Sequence, residues 1–209
     1  YELAFRTLQG GLNIGKIVVR VARGGNTIAA HLVTGGTSGL GLLTARWLAQ
    51  CGTSRLVLAS RSGALARLAD TEWSRISETE TNAVLERCDA GEPAHVLRLV
   101  ASASPLAGVV HAAGVLADAV LPTQKAVALV EVYAAKTYAA WGLHKATVAS
   151  PLRNFTLFSS AAALIGNAGQ TNYSAANACL DMLASSRRTH GGATVSVQWG
   201  PWAEVGMAA

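Results

Sequence analysis

From about residue 29 onward, short β-branched apolar runs alternate with longer stretches of helical periodicity, and that alternation leaves few folds open. The runs at 28–33, 55–59, 84–87, 108–111, 155–159 and 194–198 read as strands. Between them, 40–50, 64–77, 93–101, 125–148 and 172–189 read as helices. The strands carry no alternating polar face, as expected where helices cover both sides of a parallel sheet. The expected fold is α/β, a doubly wound parallel sheet of Rossmann type. At 209 residues the chain can bury one such core, and its 51% apolar and 14% charged residues argue against disorder.

Residues 1–27 stand outside this rhythm. A short helical pattern over 1–10 and a strand over 14–20 lead into a glycine-containing linker at 22–27. They read as the tail of a preceding unit, with 28–209 as the domain proper.

The first strand runs directly into Thr34-Gly35-Gly36-Thr37-Ser38-Gly39-Leu40-Gly41, which opens a helix. Glycines there let the backbone turn sharply and approach a pyrophosphate. The helix N-terminus adds unpaired N–H donors and positive potential. The second strand ends at Ala59-Ser60-Arg61-Ser62. The acidic residue that would meet an unphosphorylated ribose is missing, and Ser60 with Arg61 could instead grip a 2′-phosphate. That favours NADPH over NADH, the alternative being a solvated loop arginine. Asp89, closing the third strand, suits either the adenine amino group or a helix cap.

Further along stand Lys136, Ser160 and the run Tyr173-Ser174-Ala175-Ala176-Asn177. A tyrosine donates a proton near neutral pH only where a nearby cation stabilises its phenolate. Such a site needs a lysine, a hydroxyl to hold the carbonyl, and a source of hydride. Each residue taken singly is a common structural one: an amphipathic tyrosine, a strand-end serine, a helix-surface lysine and amide. Together, behind the glycine turn, they point to reduction. His31, His95, His144 and His190 show no partner spacing and read as structural.

The formal charge of +5 is thinly spread, with Arg61, Arg67, Arg187 and Arg188 the nearest approach to basic clusters. No aromatic platform is interleaved, so nucleic-acid binding is not expected. The surplus reads as a bland one, with some of it serving an anionic cofactor or an acidic carrier protein. Cys51, Cys88 and Cys179 share no metal-type spacing and read as small buried apolar residues in a reducing compartment, with no metal. No apolar run approaches bilayer length and the first residues carry no signal-peptide pattern. The expectation is a cytoplasmic protein without a membrane partner.

These residues resemble the short-chain dehydrogenase/reductase superfamily, and more closely the ketoreductase domains of type I polyketide synthases and animal-type fatty acid synthases. The glycine turn at 34–41, the segment His111-Ala112-Ala113-Gly114-Val115-Leu116, Phe158-Ser159-Ser160, Gly169-Gln170-Thr171-Asn172-Tyr173 and Trp199-Gly200-Pro201-Trp202 carry the likeness. Most superfamily members place lysine four residues after the tyrosine. Here Asn177 holds that place and Lys136 lies upstream, a swap typical of the megasynthase ketoreductases. The likeness covers about 28–209. Residues 1–20 look like the end of an enoylreductase domain. The chain ends at Met207-Ala208-Ala209, where the family continues into a lid helix and a last strand, so a C-terminally truncated domain is expected.

The resemblance implies NADPH-dependent reduction of a 3-ketoacyl thioester borne on the phosphopantetheine of an acyl carrier protein. Neighbouring enoylreductase and structural ketoreductase domains would be partners. It implies that Tyr173 protonates the carbonyl oxygen and Ser160 hydrogen-bonds it. Ser160 is preferred to Ser159 because the family's serine lies thirteen residues before the tyrosine. Lys136 would lower the tyrosine pKa and hold the nicotinamide ribose, and Asn177 would position Lys136 or a relay water. Thr34 to Gly41, Ser60, Arg61, Asp89, His111 to Gly114 and Pro201 would form the cofactor site. Leu116, Asp118 and Gln170 would face the substrate. Leu116-Ala117-Asp118 keeps the last acid of the Leu-Asp-Asp pattern found in enzymes giving the D-alcohol. Ile165 stands where the opposite class has tryptophan, so a D-alcohol product is expected. The alternatives are a catalytically silent NADP-binding domain of such a synthase and a free-standing reductase of small ketones.

Overall fold

The computed structural model describes residues 29–202. The readings at 1–27 and at the C-terminal end lie outside the described residues. The six strands are β1 (Ala30–Thr34), β2 (Arg55–Ser60), β3 (Asn82–Arg87), β4 (Leu106–His111), β5 (Asn154–Ser160) and β6 (Thr194–Trp199). They form one parallel sheet in the order β3-β2-β1-β4-β5-β6. The order reverses between β1 and β4, and at such a switch point the loops after the strands part to leave a crevice.

Successive strand residues go to opposite faces, and helices cover both. Leu32, Val57, Val109 and Leu157 pack on one face against Val96 and Leu99 of α3 (Pro93–Ala103), Leu143 of α5 (Ala139–Thr147) and Leu180 and Leu183 of α7 (Thr171–Thr189). Their neighbours Val33, Leu58, Val110 and Phe158 pack on the other against Leu42, Ala45 and Leu48 of α1 (Gly39–Gln50) and Ile76 of α2 (Asp70–Ser77). A period of two with apolar residues on both sides is what a doubly covered sheet requires. Cys88 is buried but Cys51 is exposed, so the expectation of buried cysteines fails at the end of α1. Among the described residues no helix is long and apolar enough to cross a membrane.

Two helices differ from expectation. The pattern at 64–77 is helical only from Asp70. Ser62 Oγ donates to the Ala64 carbonyl (3.1 Å), Gly63 N–H donates to Ser60 Oγ (3.1 Å) and Ala66 N–H donates to the Thr37 carbonyl (3.1 Å). These bonds offer the backbone an alternative to the helix, and they tie the loop to the glycine turn. The expected helix at 125–148 is three pieces, α4 (Ala126–Tyr133), a π turn (Ala134–Tyr138) and α5, with Ala139 N–H reaching back to the Ala134 carbonyl. Lys136 is the buried residue of that turn, and such single π turns are frequent at functional sites. A short helix α6 (Ala162–Ile165) and a 3-10 turn (Leu121–Thr123) fall where no element was expected.

Phe155, the second residue of β5, is fully buried, with the Arg187 guanidinium 4.0 Å above its ring. Phe155→Ala is expected to destabilise the fold by about 3–5 kcal/mol, measured as a lowered urea midpoint with an unchanged slope.

Candidate functional site

The crevice at the carboxyl ends of the strands has a volume of about 940 Å³. Every expected site residue lines it except Gly36, His111, Asp118 and Asn177. His31, His95, His144 and His190 lie away from it.

The glycine turn is built by close approach. Gly35 has φ +68°, and a Cβ there would lie 2.7 Å from the Ala113 nitrogen, so the turn fits against the Ala112-Ala113 backbone only because residue 35 has no side chain. A Cβ on Gly41 would overlap the Gly35 carbonyl. Gly36 sits beneath the turn, where a Cβ would meet the Val33 carbonyl and Leu58. With the N-terminus of α1 open above it, this backbone fits a dinucleotide pyrophosphate.

Ser60 and Arg61 stand at the end of β2 beside the crevice, as expected, and the loop in place of the first half of the helix brings Arg67 and Leu68 there too. Arg67 was missed as a site residue because the run around it has helical periodicity. The signals against a helix were Gly63 and the two serines. Asp89 lines the crevice while its Oδ1 accepts from Gly91 N–H (3.0 Å), so it closes a turn and faces the site.

At the opposite end Tyr173, Ser160 and Lys136 converge. Ser160 Oγ accepts from Ala162 N–H (3.2 Å), whereas Ser159 Oγ is turned to the Asn177 carbonyl (3.3 Å). Lys136 is 2% exposed, its Nζ donating to the Phe158 carbonyl (3.0 Å) and lying 5.1 Å from the centre of the Tyr173 ring. Burial lowers its pKa to about 8, against a smaller upward pull from Asp181. Burial raises the Tyr173 pKa above the ordinary phenol value; hydrogen bonding with Asn177 and Ser160 works the other way, and Asp118 adds to the rise. The expected depression of the tyrosine is therefore absent here. The lysine charge is held by a carbonyl of β5 rather than by the phenol oxygen.

Asn177 is fully buried and its Nδ2 donates to the Tyr173 carbonyl (2.8 Å), while its Oδ1 has no hydrogen-bond partner among the described residues. It does not reach Lys136 directly, and the orphaned oxygen fits a relay water. His111 is buried behind the crevice. Asp118 is turned from the crevice to accept from Gln170 Nε2 (2.8 Å), while Asn172 Nδ2 donates to the Ala117 carbonyl (2.9 Å). Leu116 and Gln170 face the crevice. Phe158, Trp199 and Trp202 form an edge-to-face stack beside Pro201, an aromatic wall that the Trp-Gly-Pro-Trp run only partly announced.

The KR domain profile matches residues 29–204. The chain belongs to the KR domain family of the polyketide synthases. It is 44% identical over 207 residues to polyketide synthase GfsB of Streptomyces halstedii, covering 97% of this chain and 4% of that protein. It is 36% identical over 222 residues to the phthioceranic/hydroxyphthioceranic acid synthase of Mycobacterium bovis, covering 98% of this chain and 10% of that protein. The chain thus spans a tenth or less of these two relatives. Among solved structures, A-type ketoreductases from a modular polyketide synthase superpose with a TM-score of 0.82 at 42% identity, over 86% of this chain and 39% of that one. The first ketoreductase of the tylosin synthase gives 0.80 at 41%, over 87% and 40%. A short-chain dehydrogenase from Mycobacterium avium gives 0.71 at 21% identity, over 83% and 68%, a likeness of fold. Both polyketide synthase structures are ketoreductases.

A lysine held at about 8 when folded and 10.5 when unfolded carries fewer protons folded than unfolded between those values, so its contribution makes stability rise with pH there. Below pH 8 the burial of the charge costs on the order of 3 kcal/mol. Lys136→Met should raise the melting temperature at pH 7 and remove that alkaline rise, followed by calorimetry at stepped pH.

Proposed function

We propose that the chain binds NADPH in this crevice and reduces the β-carbonyl of a 3-ketoacyl thioester presented by an acyl carrier protein. The carrying observation is the convergence of Tyr173, Ser160 and buried Lys136 at one end of a crevice whose other end is a glycine turn. When bound, the nicotinamide supplies hydride to the carbonyl carbon. Thr34 to Gly41 would hold the pyrophosphate, Asp89 the adenine, and Ala112 to Gly114 and Pro201 the nicotinamide half. Arg61 and Arg67, with Ser60, would take the 2′-phosphate by charge-assisted bonds.

Ser160 would donate to the substrate oxygen as negative charge develops there. Tyr173, a phenol kept protonated by burial, would give its proton to that oxygen. Lys136, charged below about pH 8, would stabilise the phenolate left behind and bond the ribose. Asn177 would supply its free Oδ1 to a relay water. Leu116 and Gln170 would line the acyl approach, with Asp118 acting through Gln170. Residues 1–27 would be the tail of an enoylreductase-like domain, and the structural ketoreductase half a further neighbour.

The test is oxidation of NADPH with a 3-ketoacyl thioester, comparing wild type with Tyr173→Phe. Turnover reduced by about a thousandfold or more is expected for the variant, with cofactor affinity retained. Wild-type cofactor binding without turnover would favour a silent domain. The product is expected to be mainly the D-alcohol by chiral chromatography, and mainly L-alcohol would refute that assignment. Arg61→Ala with Arg67→Ala should weaken NADPH binding at least about tenfold and leave NADH binding unchanged, read by fluorescence titration. Equal weakening of both would contradict a 2′-phosphate role.

A further inference from the structure

We infer that His111 is a positioning residue for Lys136, holding it through the backbone carbonyl of the π turn, with Thr34 fixing the imidazole tautomer. This rests on the reductase reading above. His111 ends β4, is fully buried, and lies within hydrogen-bond distance of two groups. Its Nε2 is 3.0 Å from the Lys136 carbonyl and its Nδ1 is 2.7 Å from Thr34 Oγ1. A carbonyl only accepts, so Nε2 carries the proton. Burial, with the nearby Lys136 charge, lowers the imidazole pKa to about 3, so the ring is neutral and Nδ1 must accept from the Thr34 hydroxyl.

The bonds form a directed chain, Thr34 to His111 to Lys136, running from β1 through β4 into the helix. Lys136 is then held at both ends, its carbonyl by β4 and its Nζ by the Phe158 carbonyl of β5. A buried lysine has four rotatable bonds to misplace its charge. Its turn departs from α geometry, so the helix alone does not aim the side chain. Thr34 also opens the glycine turn and its carbonyl accepts from Ala112 N–H (3.0 Å). The two halves of the crevice therefore share one hydrogen-bonded strut.

The test uses His111→Leu, His111→Gln, Thr34→Val and Lys136→Met in the full chain. Gln places an amide N–H close to where Nε2 sits, so it restores the donor that Leu removes. His111→Leu should lower kcat about tenfold or more with little change in KM for NADPH, and His111→Gln should recover most of it. Thr34→Val should give a smaller loss of kcat, and covers the case where His111→Leu fails to fold. In the Lys136→Met background His111→Leu should cost nothing further, because the residues act as one unit. Additive losses, or a His111→Gln variant as impaired as His111→Leu, would overturn the assignment. Modification of Lys136 by an amine reagent, quantified by mass spectrometry, reads the clasp without turnover. It should be several-fold faster in His111→Leu and unchanged in His111→Gln, and equal rates in wild type and His111→Leu would refute the clasp. An inactive wild type with this labelling pattern would sink the reductase reading and leave the clasp standing.

Discussion

A single buried ammonium organises the chemical end of this molecule. An isolated charge costs too much in an apolar interior to be placed there without partners. Lys136 has the Phe158 carbonyl at its head, and its backbone is fastened to the end of β4. Those contacts require β4 and β5 to be adjacent, in register from Gly108 and Asn154 onward, and require the helix between them to open into a π turn. Tyr173 is then brought over the lysine by α7, which packs along the same strands through Leu180 and Leu183.

The glycine-turn end follows from a different constraint, the tight approach of backbone to backbone. The glycine turn, the Ala112-Ala113 segment and the loop after β2 close on one another with no room for a Cβ at Gly35 or Gly41. Strand order places this turn and the lysine on either side of the switch between β1 and β4. A parallel sheet puts both at the carboxyl edge, so the glycine turn and the lysine open onto one crevice.

Much of this was legible in the chain itself. Strand positions, sheet type and glycine turn follow from apolar periodicity and from residues whose backbone demands are unusual. Lys136, Ser160 and Tyr173 were legible as a set through spacing within a resembled family, not through local pattern. What escaped depends on contacts between distant segments. The loop at 61–69 has a helical rhythm but is captured by Ser60, Ser62 and the Thr37 carbonyl, and this is what delivers Arg67 to the crevice. His111 reads as one member of a cofactor segment, and only the three-dimensional meeting of β1, β4 and the π turn reveals what its two nitrogens hold. The lowered tyrosine pKa was expected from having a lysine nearby, but a carbonyl takes the lysine's proton donor and burial decides the direction.

The buried, clamped state of Lys136 is measured most directly by titrating its side-chain nitrogen in the cofactor-free chain by NMR, with Lys136→Met assigning the signal. The account predicts a midpoint near 8. A midpoint near the ordinary lysine value of about 10.4 would mean that the ammonium is bathed in water, and would contradict it.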